Sequence, residues 1–266
     1  MDLLIWIIGF SLLGGLLSVA FASSFLMLSE NHRGIALPHL VSFAIGALLG
    51  ASFLGLLPHA IEHNYAVDAH EIGLTLLVGL MLFFVLEKMV LWRHCHSHHG
   101  EEHIPELDRP DHHGGHHHEA AGPLILVGDT IHNFVDGILI AAAFMTDIHL
   151  GIVTALAIAA HEIPQELGDF VILLHSGFSR RKALYFNILS SLGTVVGALL
   201  AYFTLADMQH LLPYILVIAA SSFIYVAVAD LIPGLHTRIK PRETLQQIVL
   251  IALGVIFIFI THSTLH

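Results

Sequence analysis

The sequence predicts an all-α integral membrane fold: eight transmembrane helices grouped three, two and three. Three observations carry that reading. The 266 residues are 56% hydrophobic and 12% charged, with a mean hydropathy of +0.79, too apolar for a water-soluble domain. Eight apolar stretches reach the roughly 20 residues a helix needs to cross the hydrocarbon core, at 3–28, 37–57, 72–92, 123–146, 150–175, 183–205, 213–235 and 245–263. All ten lysines and arginines fall on alternate connections or their flanks: Arg33; Lys88, Arg93 and Arg109; Arg180, Arg181 and Lys182; Arg238, Lys240 and Arg242. Basic residues collect on the cytoplasmic side, so both termini are expected outside.

Residues 1–92 supply the first three helices. The first apolar run is too long for a signal-peptide core and has no basic stretch before it, so it is expected to remain in the protein. Helix two closes after Pro58 with His59, Glu62 and His63, spaced to share one face at the outer end, where they could pass cations inward or cap the interface. The other outward connections add Asp68, Glu71, Asp147 and Asp207 without a basic residue, so the outer face is acidic and attractive to cations.

Residues 93–122 form the one long connection, and ten of the chain's 23 histidines lie there between His94 and His118. With almost nothing apolar to bury, this loop is expected to be disordered and cytoplasmic, and its neutral imidazoles suit divalent metals. The single cysteine, Cys95, excludes an internal disulfide and a thiolate cluster. Residues 123–175 carry helices four and five with the candidate metal site, and residues 176–266 carry helices six to eight. Pro58 and Pro233 read as kinks, and Asp230 stands near the inner end of helix seven, where it could receive a departing ion. Two triplets that start on opposite faces are expected to be inverted repeats.

Helices four and five are the exception to this apolar plan. Asp129 and Asp136 lie in the fourth, Glu162, Glu166 and Asp169 in the fifth. At about 2.5 to 3.5 kcal/mol for each carboxylate near a helix centre, five would cost more than about 12 kcal/mol, so something must compensate. Protonation, a wet cavity or a bound cation would each serve, and nearby histidines favour the cation. At about 100° per residue, His161, Glu162, Gln165, Glu166 and Asp169 share an arc of about 140°, and Asp129, His132, Asn133 and Asp136 one of about 100°. The helices run in opposite directions and His132 and His161 lie at similar depth, so the two stripes are expected to meet near the midplane. His132, Asp136, His161 and Gln165 offer imidazole nitrogen with carboxylate or amide oxygen, a set suited to zinc and tolerable for iron(II), manganese or cadmium. Asn133 and Glu162, one position on, could hold a second ion. Pro164 has no N–H to give the Ala160 carbonyl, which frees that oxygen beside the site.

HNFVDG at 132–137 and HEIPQELGDF at 161–170, with the histidine-rich loop before them and eight spans, resemble the ZIP (Zrt/Irt-like) family of divalent metal transporters. The likeness is to the branch whose fifth span reads H-E-x-P-H-E. The resemblance implies a binuclear site, with His132, Asp136, His161 and Gln165 lining one position and Asn133, Glu162 and Gln165 the other. It also implies metal movement into the cytoplasm, a homodimer, and alternating access by an elevator or rocking motion. Two residues depart from the pattern: Gln165 replaces a histidine of that branch, and Thr194 in helix six stands where some relatives supply a glutamate. Without a large N-terminal ectodomain of the animal kind, a bacterial inner membrane is the expected location. The expected partners are divalent metal ions, zinc foremost, and the lipid bilayer; no cofactor beyond the transported metal and no nucleic acid are expected.

Two other functions compete with transport. HEIPQ begins like the H-E-x-x-H motif of zinc hydrolases, but residue 165 is Gln, and a hydrolase has no need of the second polar stripe in helix four. A membrane metal sensor using the loop as receptor would leave the midplane acids unexplained. No enzymatic activity is therefore expected.

Overall fold

The structure, a computed structural model, describes residues 3–25, 29–62, 68–96, 121–236 and 240–265, and these form helices joined by short turns. Eight rods follow one another. They are α1 (Leu3–Phe25), α2 (Glu30–Gly50, π-helical Ala51–Leu56, then Leu57–Glu62), α3 (Ala69–His96), α4 (Ala121–Thr146) and α5 (Ile148–His175). After these come α6 (Arg180–Leu205), α7 (a 3-10 turn Gln209–Leu211, Leu212–Tyr225, π-helical Val226–Leu231, then Ile232–Leu235) and α8 (Pro241–Leu265). Seven of the rods are long and apolar enough to cross a membrane. The other, α5, has 28 residues but carries Glu162, Glu166 and Asp169, which sets it apart from that apolar class.

Some boundaries move from their expected places. The second helix starts at Glu30 rather than near residue 37, because polar residues are tolerated in a first helical turn that hydropathy alone does not register. At the long connection, α3 continues to His96 and α4 begins at Ala121, so the expected loop is shorter at both ends. The remainder, 97–120, with the disorder expected of it, lies outside the described residues, as does His63.

Burial separates centre from periphery. In its most apolar window α2 is 61% buried, against 11% for α3 and for α8. Accordingly α3 presents Leu74, Leu77, Met81 and Phe84 outward, and α8 presents Ile248, Leu253, Ile256 and Phe259. These faces suit lipid. Inside, α4 packs on α6 and α5, α1 on α5 and α6, α2 on α8 and α5, and α3 on α7. The tightest crossings rest on glycine. A Cβ on Gly137 would stand 1.9 Å from the Thr194 carbonyl oxygen, and one on Gly197 2.0 Å from that of Phe134, so α4 and α6 touch backbone to backbone. Gly46 and Gly254 do the same for α2 and α8.

One residue separates α4 from α5. Asp147 leaves the helical conformation at φ −156° and accepts hydrogen bonds from the backbone N–H of His149 (2.8 Å) and Leu150 (3.0 Å), capping α5. Partial burial pushes its carboxyl up, but the Leu150 and His149 amides and the His149 and His59 rings outweigh that and hold it below its ordinary 3.8. At its other end α5 closes on Gly177, whose φ of 86° lets the Gly177 and Phe178 amides reach back to Leu174 and Leu173.

Candidate metal centre

The one-residue turn at Asp147 makes α4 and α5 an antiparallel pair with little freedom in register. His132 and His161 lie nearly equal chain lengths before and after it, about four helical turns along each rod, so they arrive at one level. Their Nε2 atoms are 3.3 Å apart.

Around them stand two carboxylates, one from each helix. His132 Nε2 lies 3.4 Å from Glu162 Oε1 and 3.8 Å from Asp136 Oδ2, while His161 Nε2 lies 3.5 Å from Asp136 Oδ2 and 3.8 Å from Glu162 Oε1. All four ligand atoms fall within 4.8 Å of one another. A tetrahedral zinc with ligands at about 2.0 Å needs them roughly 3.3 Å apart, so the cage is pre-shaped and slightly expanded. Asp136, His161 and Glu162 are buried, and His132, with 26% of its side chain accessible, is the partly exposed member.

The polar accounting within the cage points to a cation. Asp136 Oδ2 and both Glu162 carboxylate oxygens are buried without a hydrogen-bond partner. Such groups are costly unless a proton or positive charge meets them. His161 Nδ1 lies 3.2 Å from the Ala157 carbonyl, which orients the ring and leaves Nε2 for a ligand. From α7, Phe223 packs against His161 with 6.2 Å between ring centroids.

The remaining expected residues sit beside the cage. Asn133 is fully buried: its Nδ2 donates to Asp129 Oδ1 (2.9 Å), and its Oδ1 accepts from Thr194 Oγ1 of α6 (2.8 Å). Gln165 is half-buried and faces Asp129. Glu162, expected at a neighbouring position, joins His132, Asp136 and His161 directly. Thr194 was singled out from sequence, but Asn187 and Ser190 of α6, buried beside Glu166 and Asp129, were not. Their signal was available, because polar residues at 187, 190, 191 and 194 repeat at helical spacing in an otherwise apolar span. His59, expected near the entrance, is buried near the C-terminal end of α2, its ring 5.4 Å from that of His262 on α8.

A cluster able to hold a cation, on two antiparallel helices of an apolar bundle, agrees with what sequence comparison finds. The model of the ZIP Zinc transporter family matches residues 92–262, more than half of the chain and all of α4 to α7. The chain belongs to the ZIP family. Among other members it is 31% identical over 242 residues to zinc transporter ZIP13 of Pongo abelii, covering 86% of this chain and 68% of the relative. Zinc transporter ZIP13 of Mus musculus is 32% identical over 250 residues, covering 83% and 68%. Zinc transporter zipt-7.1 of Caenorhabditis briggsae is 28% identical over 312 residues, covering 96% and 79%. These relatives are animal proteins and give the expected bacterial inner membrane no support. Family membership and the apolar helices make this ZIP protein a multi-pass integral membrane protein.

Proposed function

We propose that this ZIP protein carries divalent metal ions, zinc foremost, across the membrane, with His132, Asp136, His161 and Glu162 holding the ion in transit and Asn133 and Gln165 adjoining it. One observation carries the reading. Four ligand atoms from two facing helices lie within 4.8 Å of one another, and the Asp136 and Glu162 carboxylates that supply two of them have three buried oxygens without a hydrogen-bond partner. The family's description and the names of the relatives agree with a transporter. The hydrolase reading loses ground on geometry as well, since Glu162 stands at ligand distance inside the cage instead of apart from it, where it would activate water.

Finer features belong to the same proposal. Eight spans with both termini outside follow from the ten basic residues falling on alternate connections of the sequence or their flanks, and transport toward the cytoplasm follows from the family resemblance. Inverted repetition is supported by matching detail: α2 and α7 each contain a six-residue π-helical segment, Ala51–Leu56 and Val226–Leu231, followed by Pro58 and Pro233 at the same offset. Glycine seams in α2–α8 and α4–α6, and the packing of α1 on both α5 and α6, fit such a plan. Alternating access and a homodimer come from the family resemblance.

Uptake into proteoliposomes tests the route. Zinc entry should occur with the unaltered protein and fall to background with Asp136→Ala and with His161→Ala. Unchanged flux in both would remove the proposed path.

A further inference from the structure

Below the cage lies a second group of buried oxygens that the four-ligand centre does not use. Glu166 is fully buried and neither carboxylate oxygen has a hydrogen-bond partner. Asp129, 4% exposed, has one oxygen held by Asn133 and the other, Oδ2, unpartnered. Asn187 of α6, fully buried, donates its Nδ2 to the Glu166 carbonyl (3.4 Å), which fixes the amide against α5 and leaves Oδ1 unpartnered. The charged groups acting on the Glu166 carboxylate are Asp129, Glu162 and Asp169, all acidic. Thus three helices bring buried oxygens without a hydrogen-bond partner into one region, where Ser190 and Gln165 lie beside Asp129, and among the described residues the charged groups around Glu166 are all acidic while Asp129 also faces His132.

The placement is orderly. On α4, Asp129 precedes His132 by about one turn, and on α5 Glu166 follows Glu162 by about one turn, so the group is displaced about 5 Å along the bundle from the cage. The displacement is toward the end that carries Arg180, Arg181 and Lys182. The hydrogen bonds from Thr194 to Asn133 and from Asn133 to Asp129 Oδ1 hold the Asp129 carboxylate in one orientation, as outer partners do at metal sites.

We propose that Asp129 Oδ2, the Glu166 carboxylate and Asn187 Oδ1 form a second, all-oxygen station for a divalent cation, one helical turn beyond the histidine cage on the basic side of the bundle. The proposal rests on the transport reading above and extends its path. Two carboxylates balance the charge of one dication here, as Asp136 and Glu162 do in the cage. The donor chemistry differs: oxygen alone suits harder ions such as Mn²⁺, whereas the cage with its two imidazoles favours zinc.

Manganese binding to the purified full-length protein, read by electron paramagnetic resonance, separates the two sites. In protein carrying His132→Ala and His161→Ala, Mn²⁺ should remain bound, and adding Glu166→Gln with Asp129→Asn should release one equivalent whose difference spectrum shows no nitrogen hyperfine coupling. The histidine-rich loop is common to both proteins, so its contribution cancels. An equal Mn²⁺ count with and without the two carboxylate changes overturns the station. So does simultaneous loss of zinc from the cage in monodisperse Glu166→Gln protein, which would make the oxygens part of one site. The transport reading fails differently, through zinc uptake into proteoliposomes that is unchanged after His132→Ala and His161→Ala.

Discussion

Thr194 Oγ1 donates to Asn133 Oδ1 at 2.8 Å, directly across the seam where Gly137 and Gly197 bring α4 and α6 into backbone contact. The bond is buried on both sides and links the helix that carries half the cage to a helix that contributes no ligand to it. It places a hydroxyl where some ZIP relatives are expected to carry a glutamate, so here the position ties helices together.

Thr194→Val keeps the shape but leaves the Asn133 oxygen buried and unpaired. It should cost about 1–3 kcal/mol, measured by thermal denaturation in detergent, while Thr194→Ser retains most of the stability. Equal melting of all three proteins would remove the bond from the account.

Gly137→Val forces a side chain into a space where even a Cβ would meet the Thr194 carbonyl at 1.9 Å. Overpacking of this kind costs about 1–3 kcal/mol or more, and the α4 backbone must move, so zinc binding and transport should fall together. Gly128→Ala on the same helix, where a Cβ meets nothing within 4 Å, should leave both intact.

Glu162→Gln separates stability from metal affinity. Without metal the variant should melt higher, because an unpartnered buried carboxylate is replaced by a neutral group. With metal it should gain less. The unaltered protein is stabilised by about 2.7 kcal/mol at a hundredfold excess of zinc over its dissociation constant, and the variant's zinc affinity should fall at least about tenfold, the lower bound for loss of even an outer partner. Melting curves at graded zinc concentration read both effects.

Asp147→Ala removes the cap of α5 and should cost about 1 kcal/mol at neutral pH. The folded-state carboxyl lies below its ordinary 3.8, so its contribution is present above that value and is lost as pH falls through the depressed one. Stability measured down the acid range should converge for the two proteins below pH 3.8; a constant gap would point to packing instead.

Much of this protein was legible in the chain. The spacing of His132 and Asp136, and of His161 and Gln165, set two polar stripes, because a helix returns to the same face every three to four residues. The cost of burying five acids in apolar helices then called for a compensating charge, which drew attention to these two stripes, although the sequence grouped Gln165 with His132, Asp136 and His161 where the structure brings Glu162. Long apolar runs gave the helices for the same reason: backbone polar groups in lipid must be satisfied within their own segment.

Tertiary packing decided the rest. Glu162 at ligand distance from His132 depends on how α4 and α5 rotate about their axes, and helical periodicity leaves that rotation open by tens of degrees. The pairing of Asn133 with Thr194, and of Asn187 with Glu166, joins residues 61 and 21 positions apart. No local rule reaches that far. Close approach through Gly137 and Gly197 selects α6 as the neighbour, and with it which polar atoms are satisfied by protein and which are left for an ion.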